Sequence, residues 1–82
     1  MSEKKKAAPT YEEFCGVVKT KLQERWPGED EKDIDSFLKS EEAMIKRDYE
    51  KEQADFDAGE LSADLFWDGG RHGLIMALEL MY

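Results

Sequence analysis

Residues 65–82, LFWDGGRHGLIMALELMY, hold three of the six glycines, the single histidine and the longest apolar run of an 82-residue chain. Beyond the glycines, Leu74, Ile75, Leu78, Met81 and Tyr82 fall at the i, i+1, i+4, i+7 and i+8 positions of one helix face. Met76, Ala77 and Leu80 make the opposite side apolar as well. A helix apolar nearly all round needs cover on both sides, so the pattern predicts a central C-terminal helix with the other helices folded about it. Gly69 and Gly70 then serve a tight helix-to-helix turn, Gly73 permits the close approach of a neighbouring backbone, and Asp68 is the expected cap of the final helix. A phosphate-binding reading of the glycine run requires a preceding strand, and a P-loop also needs a Lys-Ser/Thr pair. DGGRHG follows a helical pattern and has no such pair, which leaves a steric role for its glycines.

Working outward, TYEEFCGVVKTKLQERWPG opens on Thr10 and Glu13 at capping-box spacing. Its apolar residues Tyr11, Phe14, Val17, Val18, Leu22 and Trp26 recur at three- and four-residue steps until Pro27-Gly28 stops them. A short second helix follows, with Asp30 as N-cap and Ile34, Phe37 and Leu38 on one face. Ser40 is the expected cap of a long, polar third helix in which Ile45, Tyr49 and Phe56 share a face and Gly59 supplies the left-handed ending. Ser62 caps a single turn carrying Leu65, Phe66 and Trp67. Nowhere does a period-two pattern of β-branched residues argue for strands. The prediction is an all-α, single-domain bundle of four helices, with helix two and the 62–67 turn short.

The composition, 40% hydrophobic and 39% charged, is too apolar for disorder and too charged for a membrane protein. Residues 1–9, MSEKKKAAP, lack the apolar stretch of a secretory signal and read as a disordered basic tail ahead of a helical domain over 10–82. Cys15 is the only cysteine, which points to the cytoplasm, where small domains do without disulfide frameworks. Residues 1–28 carry six basic and four acidic groups, net +2. Residues 29–64 carry five and fourteen, net −9, and residues 65–82 carry one and two, net −1. An acidic middle of this kind disfavours direct binding of nucleic acid, which depends on Lys and Arg displacing counterions from phosphates.

No converging set of acid, base, nucleophile or metal ligands is evident in the sequence, so neither catalytic nor cofactor nor metal residues are expected. With one imidazole, His72 has no second histidine for a metal site. Cys15 and His72 define a less favoured thiol-enzyme reading, against which stands Cys15 as a small core residue beside Phe14. DFDAGELSADLF, residues 55–66, has Asp55 and Asp57 at the first and third positions of a calcium loop, but its glycine arrives a residue early and Phe66 occupies the place of the bidentate Glu. Glu41, Asp48, Glu52 and Asp55 project within a narrow arc of helix three. This carboxylate row is either a solvated flank or an imitation of a phosphate strand aimed at a basic enzyme groove. Trp67, if exposed beside Arg71, is a further candidate contact for a partner, and Gly73, Ala77 and Met81 form a small-residue seam suited to a packing groove or a homodimer contact.

The layout YEEF…V…L…WP…DIDSFL…I…YE…G…GG…LELMY resembles small uncharacterised helical proteins encoded on mobile elements of Gram-positive bacteria. The resemblance implies a setting of host or mobile-element machinery and supplies no site residues. Together these features predict a small acidic cytoplasmic protein-interaction module without catalytic activity, whose partner is another protein or a second copy. A nucleic-acid-mimicking inhibitor is the alternative.

Overall fold

A computed structural model describes residues 7–81, and five helices account for most of them: α1 (Tyr11–Arg25), α2 (Glu31–Ser40), α3 (Glu42–Asp57), α4 (Ala63–Phe66) and α5 (Leu74–Met81). No strand occurs among the described residues, so the protein is all-α, with four helices of substance and a one-turn α4. Among the described residues, no helix is long and apolar enough to cross a membrane.

The helix starts follow local chemistry. Thr10 and Glu13 form the full capping box, the Glu13 N–H donating to Thr10 Oγ1 at 3.1 Å and the Thr10 N–H to Glu13 Oε1 at 2.9 Å. Asp30 accepts from the Lys32 N–H, and Ser62 accepts from the Leu65 N–H. At the end of α3 the Glu60 N–H bonds the Asp55 carbonyl and the Gly59 N–H that of Phe56. This paired closure is a Schellman motif, and Gly59 adopts the φ of +81° that it demands.

Two expected caps are corrected. Ser40 does not open α3; it is the last residue of α2, and its hydroxyl donates to the Phe37 carbonyl. Glu41 stands between the two helices, without a side-chain capping bond. Asp68 does not cap α5, which starts six residues later; its carboxylate pairs with Lys21 of α1 at 2.6 Å.

The core gathers Phe14, Val18 and Leu22 of α1, Ile34 of α2, Ile45 of α3, Leu61, Phe66 of α4, and Leu74 and Leu78 of α5. Phe66 is its aromatic hub, with ring centroids 5.7 Å from Phe14, 5.7 Å from Tyr49 and 5.9 Å from Phe56. Spacings in this range suit edge-to-face and tilted ring pairs. The start of the domain also moves: Pro9 is fully buried, its carbonyl accepts from the Tyr49 hydroxyl at 2.7 Å, and the Ala7 carbonyl accepts from the Trp67 indole at 2.8 Å. Residues 7–9 are thus docked, contrary to the tail expected over 1–9; the rest of that tail lies outside the described residues.

The expected cover on both sides of α5 is not found. Leu74 and Leu78 are buried, but Met76 is 66% exposed, Leu80 83% and Met81 50%. The reason is the pairing of the other helices: α1 packs with α2 and α3, α2 with α3, and α3 with α4, leaving α1 as the main neighbour of α5. Helix α1, rather than the C-terminal helix, is the post shared by most of the bundle. Tyr82, placed on the buried face by its spacing, lies outside the described residues. This one-sided burial predicts that Leu78→Ala costs about 2–5 kcal/mol while Leu80→Ala stays within about 0.5 kcal/mol of wild type. Urea denaturation of the two variants measures both.

Candidate functional site

Position 52 lies on the apolar stripe of α3, seven residues after Ile45, three after Tyr49 and four before Phe56. A carboxylate there must be buried, and Glu52 is 0% exposed. Burying an ionised group demands compensating partners, and the glycine-rich loop supplies them. The Arg71 N–H donates to Glu52 Oε1 at 3.1 Å and the His72 N–H to Glu52 Oε2 at 2.9 Å. Consecutive amides converging on an anion form a backbone nest, so the loop does bind an anion: a side chain of its own protein.

Gly70 is what allows it. Its φ is +86°, and a Cβ at this position would run into the Glu52 carboxylate. The close approach expected at Gly73 occurs instead at Gly70; around Gly73 there is open space. Gly69 and Gly70 close the end of α4, the Gly70 N–H bonding the Leu65 carbonyl at 2.9 Å.

A second layer of polar groups surrounds this contact. Asp55 Oδ2 lies 2.6 Å from His72 Nε2 and 3.2 Å from Arg71 Nε. Since a carboxylate has no proton to give, Nε2 is the donor. Arg71 also reaches Glu60, donating from Nη1 to its carbonyl at 3.2 Å and from Nη2 to its carboxylate at 3.3 Å. One turn before Glu52, Asp48 has a buried Oδ2 with no hydrogen-bond donor. Burial first, and the charge of Glu52 second, push the Asp48 carboxyl up to about 6, while His72 pulls the other way.

The sequence-predicted residues therefore separate. Asp48, Glu52, Asp55 and Arg71 come together, but facing the loop and one another rather than forming an open acidic row. Glu41 stands at the opposite end of α3, about three turns from Glu52. Trp67 is half-buried and tied to Ala7, and Arg71 is engaged by Asp55 and Glu60, so the condition set for a Trp67–Arg71 contact surface, an exposed Trp67, is not met. His72, for which the sequence offered no metal partner, is a member of the cluster through its contact with Asp55. The signal for it was the stripe position of Glu52, an acid where the spacing calls for an apolar side chain.

Cys15 sits elsewhere, half-buried among Tyr11, Leu38 and Ile45. Burial pushes its thiol up, partly opposed by a hydrogen bond with Tyr11, whose own hydroxyl is pushed up to about 12. No hydrogen bond joins Cys15 to His72 among the described residues. Of the small-residue seam, Gly73, Ala77 and Met81 are all exposed, so it is not an internal packing groove.

Comparison of the chain with family models, with curated proteins and with solved structures finds no match.

Two outcomes test the cluster. Gly59 and Gly70 have nearly the same φ, but a Cβ at Gly59 meets nothing within 4 Å. Gly70→Ala is therefore expected to destabilise by about 1–3 kcal/mol more than Gly59→Ala, the cost of overpacking beyond backbone strain, in chemical denaturation. For Asp48, a folded pKa of about 6 against the ordinary 3.8 means that the native state holds the proton more tightly than the unfolded chain. Its stabilising contribution is complete below about pH 4 and is lost as pH rises through about 6. Asp48→Asn should flatten that loss, so the stability of the variant relative to wild type should climb between pH 4 and pH 7; a constant difference across that range would refute the assignment.

Proposed function

We propose that the protein is a non-enzymatic module that binds a protein partner through the outer face of α5. The observation that carries this reading is the exposure of Met76, Leu80 and Met81, three of the four large apolar side chains left open among the described residues. With the exposed Ala77 they occupy positions 76, 77, 80 and 81, which share one face of the helix, and an apolar helix face of this kind can dock in an apolar groove. Methionine suits such a surface because its flexible thioether adapts to its partner. The resemblance to mobile-element proteins supplies the setting, a host or element machine whose activity the module adjusts, and the single cysteine favours the cytoplasm.

The polar chemistry supports a binding role over an enzymatic one. The Glu52 carboxylate and the loop amides satisfy one another, and a thiol held protonated at Cys15 is a poor nucleophile. The mimicry alternative loses its central residue, since Glu52 is buried and Asp55 is engaged by Arg71 and His72.

A photo-crosslinking amino acid at position 80, compared with one at position 32 of α2, tests the proposal in cells of the native host. The expected result is a discrete adduct from position 80 alone, abolished by Met76→Glu, with its mass separating a second copy from a different protein. Equal labelling from both positions would exclude α5 as the docking face.

A further inference from the structure

We propose that Glu52, Asp55 and His72 form a site for one divalent transition-metal ion of the zinc class. Independent of the docking role of α5, the inference rests on the donor set, its support and its charge. One imidazole nitrogen and two carboxylate oxygens lie within 4.8 Å of one another, the mixture of nitrogen and oxygen ligands that zinc accepts. Tetrahedral ligation at about 2.0–2.1 Å separates donors by about 3.3 Å. His72 Nε2 now stands 2.6 Å from Asp55 Oδ2 and 4.0 Å from Glu52 Oε1, separations on either side of that value. Small rotations of the two partly exposed side chains, His72 and Asp55, bring all three donors to a common centre, and His72 gives up its Nε2 proton to solvent, leaving the ring proton on Nδ1.

Glu52 needs no such adjustment. Its carboxylate is fully buried and held by the Arg71 and His72 amides, and each oxygen retains a lone pair. Amides holding a carboxylate from behind provide the outer support that orients metal ligands. Asp55 and Glu60 already take up the Arg71 guanidinium, and the buried Asp48 Oδ2, one turn from Glu52, meets no donor among the described residues. The cluster therefore has an excess of acceptors, which a divalent cation corrects. Arg71, 3.2 Å from the ligating oxygen of Asp55, retains its two contacts to Glu60 when the ion enters. A cleft between α3 and α5 is lined by Asp48 and His72, which leaves the imidazole open to solvent.

Because His72 is the only histidine, its ring nitrogens report on the site directly. Zinc chloride is titrated into the untagged full chain carrying Cys15→Ser, which removes the one competing thiol, and long-range 1H–15N spectra of the imidazole are recorded. The expected result is saturable 1:1 movement of Nε2 to a metal-bound shift, with a rise of several degrees in Tm that EDTA reverses. Asp55→Asn and Glu52→Gln should each weaken binding by about tenfold or more. An imidazole unmoved by a tenfold excess of zinc in the folded protein overturns the proposal. So does zinc binding of equal strength in Asp55→Asn, which would mark a surface histidine acting alone.

Discussion

A carboxylate with no exposed surface persists only where donors meet it, and in this protein the donors are the backbone amides of Arg71 and His72. That single contact joins the longest helix to the loop that leads into the last one. Glu52 occupies a core position of α3 between Tyr49 and Phe56, with no exposed surface. The loop in turn cannot reach it without Gly70, whose missing side chain leaves the space the carboxylate fills. Sequence-distant features, an acid in an apolar stripe and a glycine pair, are two halves of one interaction.

The surrounding charges are a consequence of this burial. Burial of Asp48 itself, and then the charge of Glu52 one turn away, are why Asp48 retains its proton to a higher pH than an ordinary aspartate. Asp55, nearer solvent, meets Arg71 Nε and His72 Nε2. Arg71 extends the network to Glu60, just past the Schellman closure of α3. The exposed ion pairs elsewhere, Lys19 with Glu31 and Asp35 and Arg25 with Glu79, are screened by water and contribute little individually. Partners within the cluster act across a partly buried, low-dielectric junction, where removing one leaves another uncompensated.

Much of the helical framework was legible because it is locally encoded. Thr10 with Glu13, Asp30, Ser62 and Gly59 each act on groups within a few residues, and spacing alone reveals them. The failures share a different cause. Ser40 is a good cap in isolation, but α2 runs through it; Asp68 is equally suited, but Lys21 of α1 claims its carboxylate. For α5, apolarity on all sides implied cover on all sides, and only the pairing of the remaining helices decides whether cover exists. Glu52 belonged at once to a polar row (Glu41, Asp48, Asp55) and to an apolar stripe (Ile45, Tyr49, Phe56). The polar row drew the reading because Glu52 is charged, whereas the three-dimensional packing obeys the stripe.

That ambiguity bears on how the outer face of α5 is presented. The helix has only eight residues, too few to be stable alone in water, so its position derives from what holds it. On one side Leu74 and Leu78 anchor it in the core; at its start, the loop carrying Arg71 and His72 is fastened to Glu52. Met76, Leu80 and Met81 are consequently displayed on a helix fixed at its N-terminal end by a polar clamp and along its inner face by apolar contacts. If α5 is the docking element proposed above, the buried carboxylate takes no part in touching the partner and acts by setting the orientation of the helix that does. At this junction a charged residue, Glu52, thus serves the interior, while the apolar Met76, Leu80 and Met81 provide exterior surface.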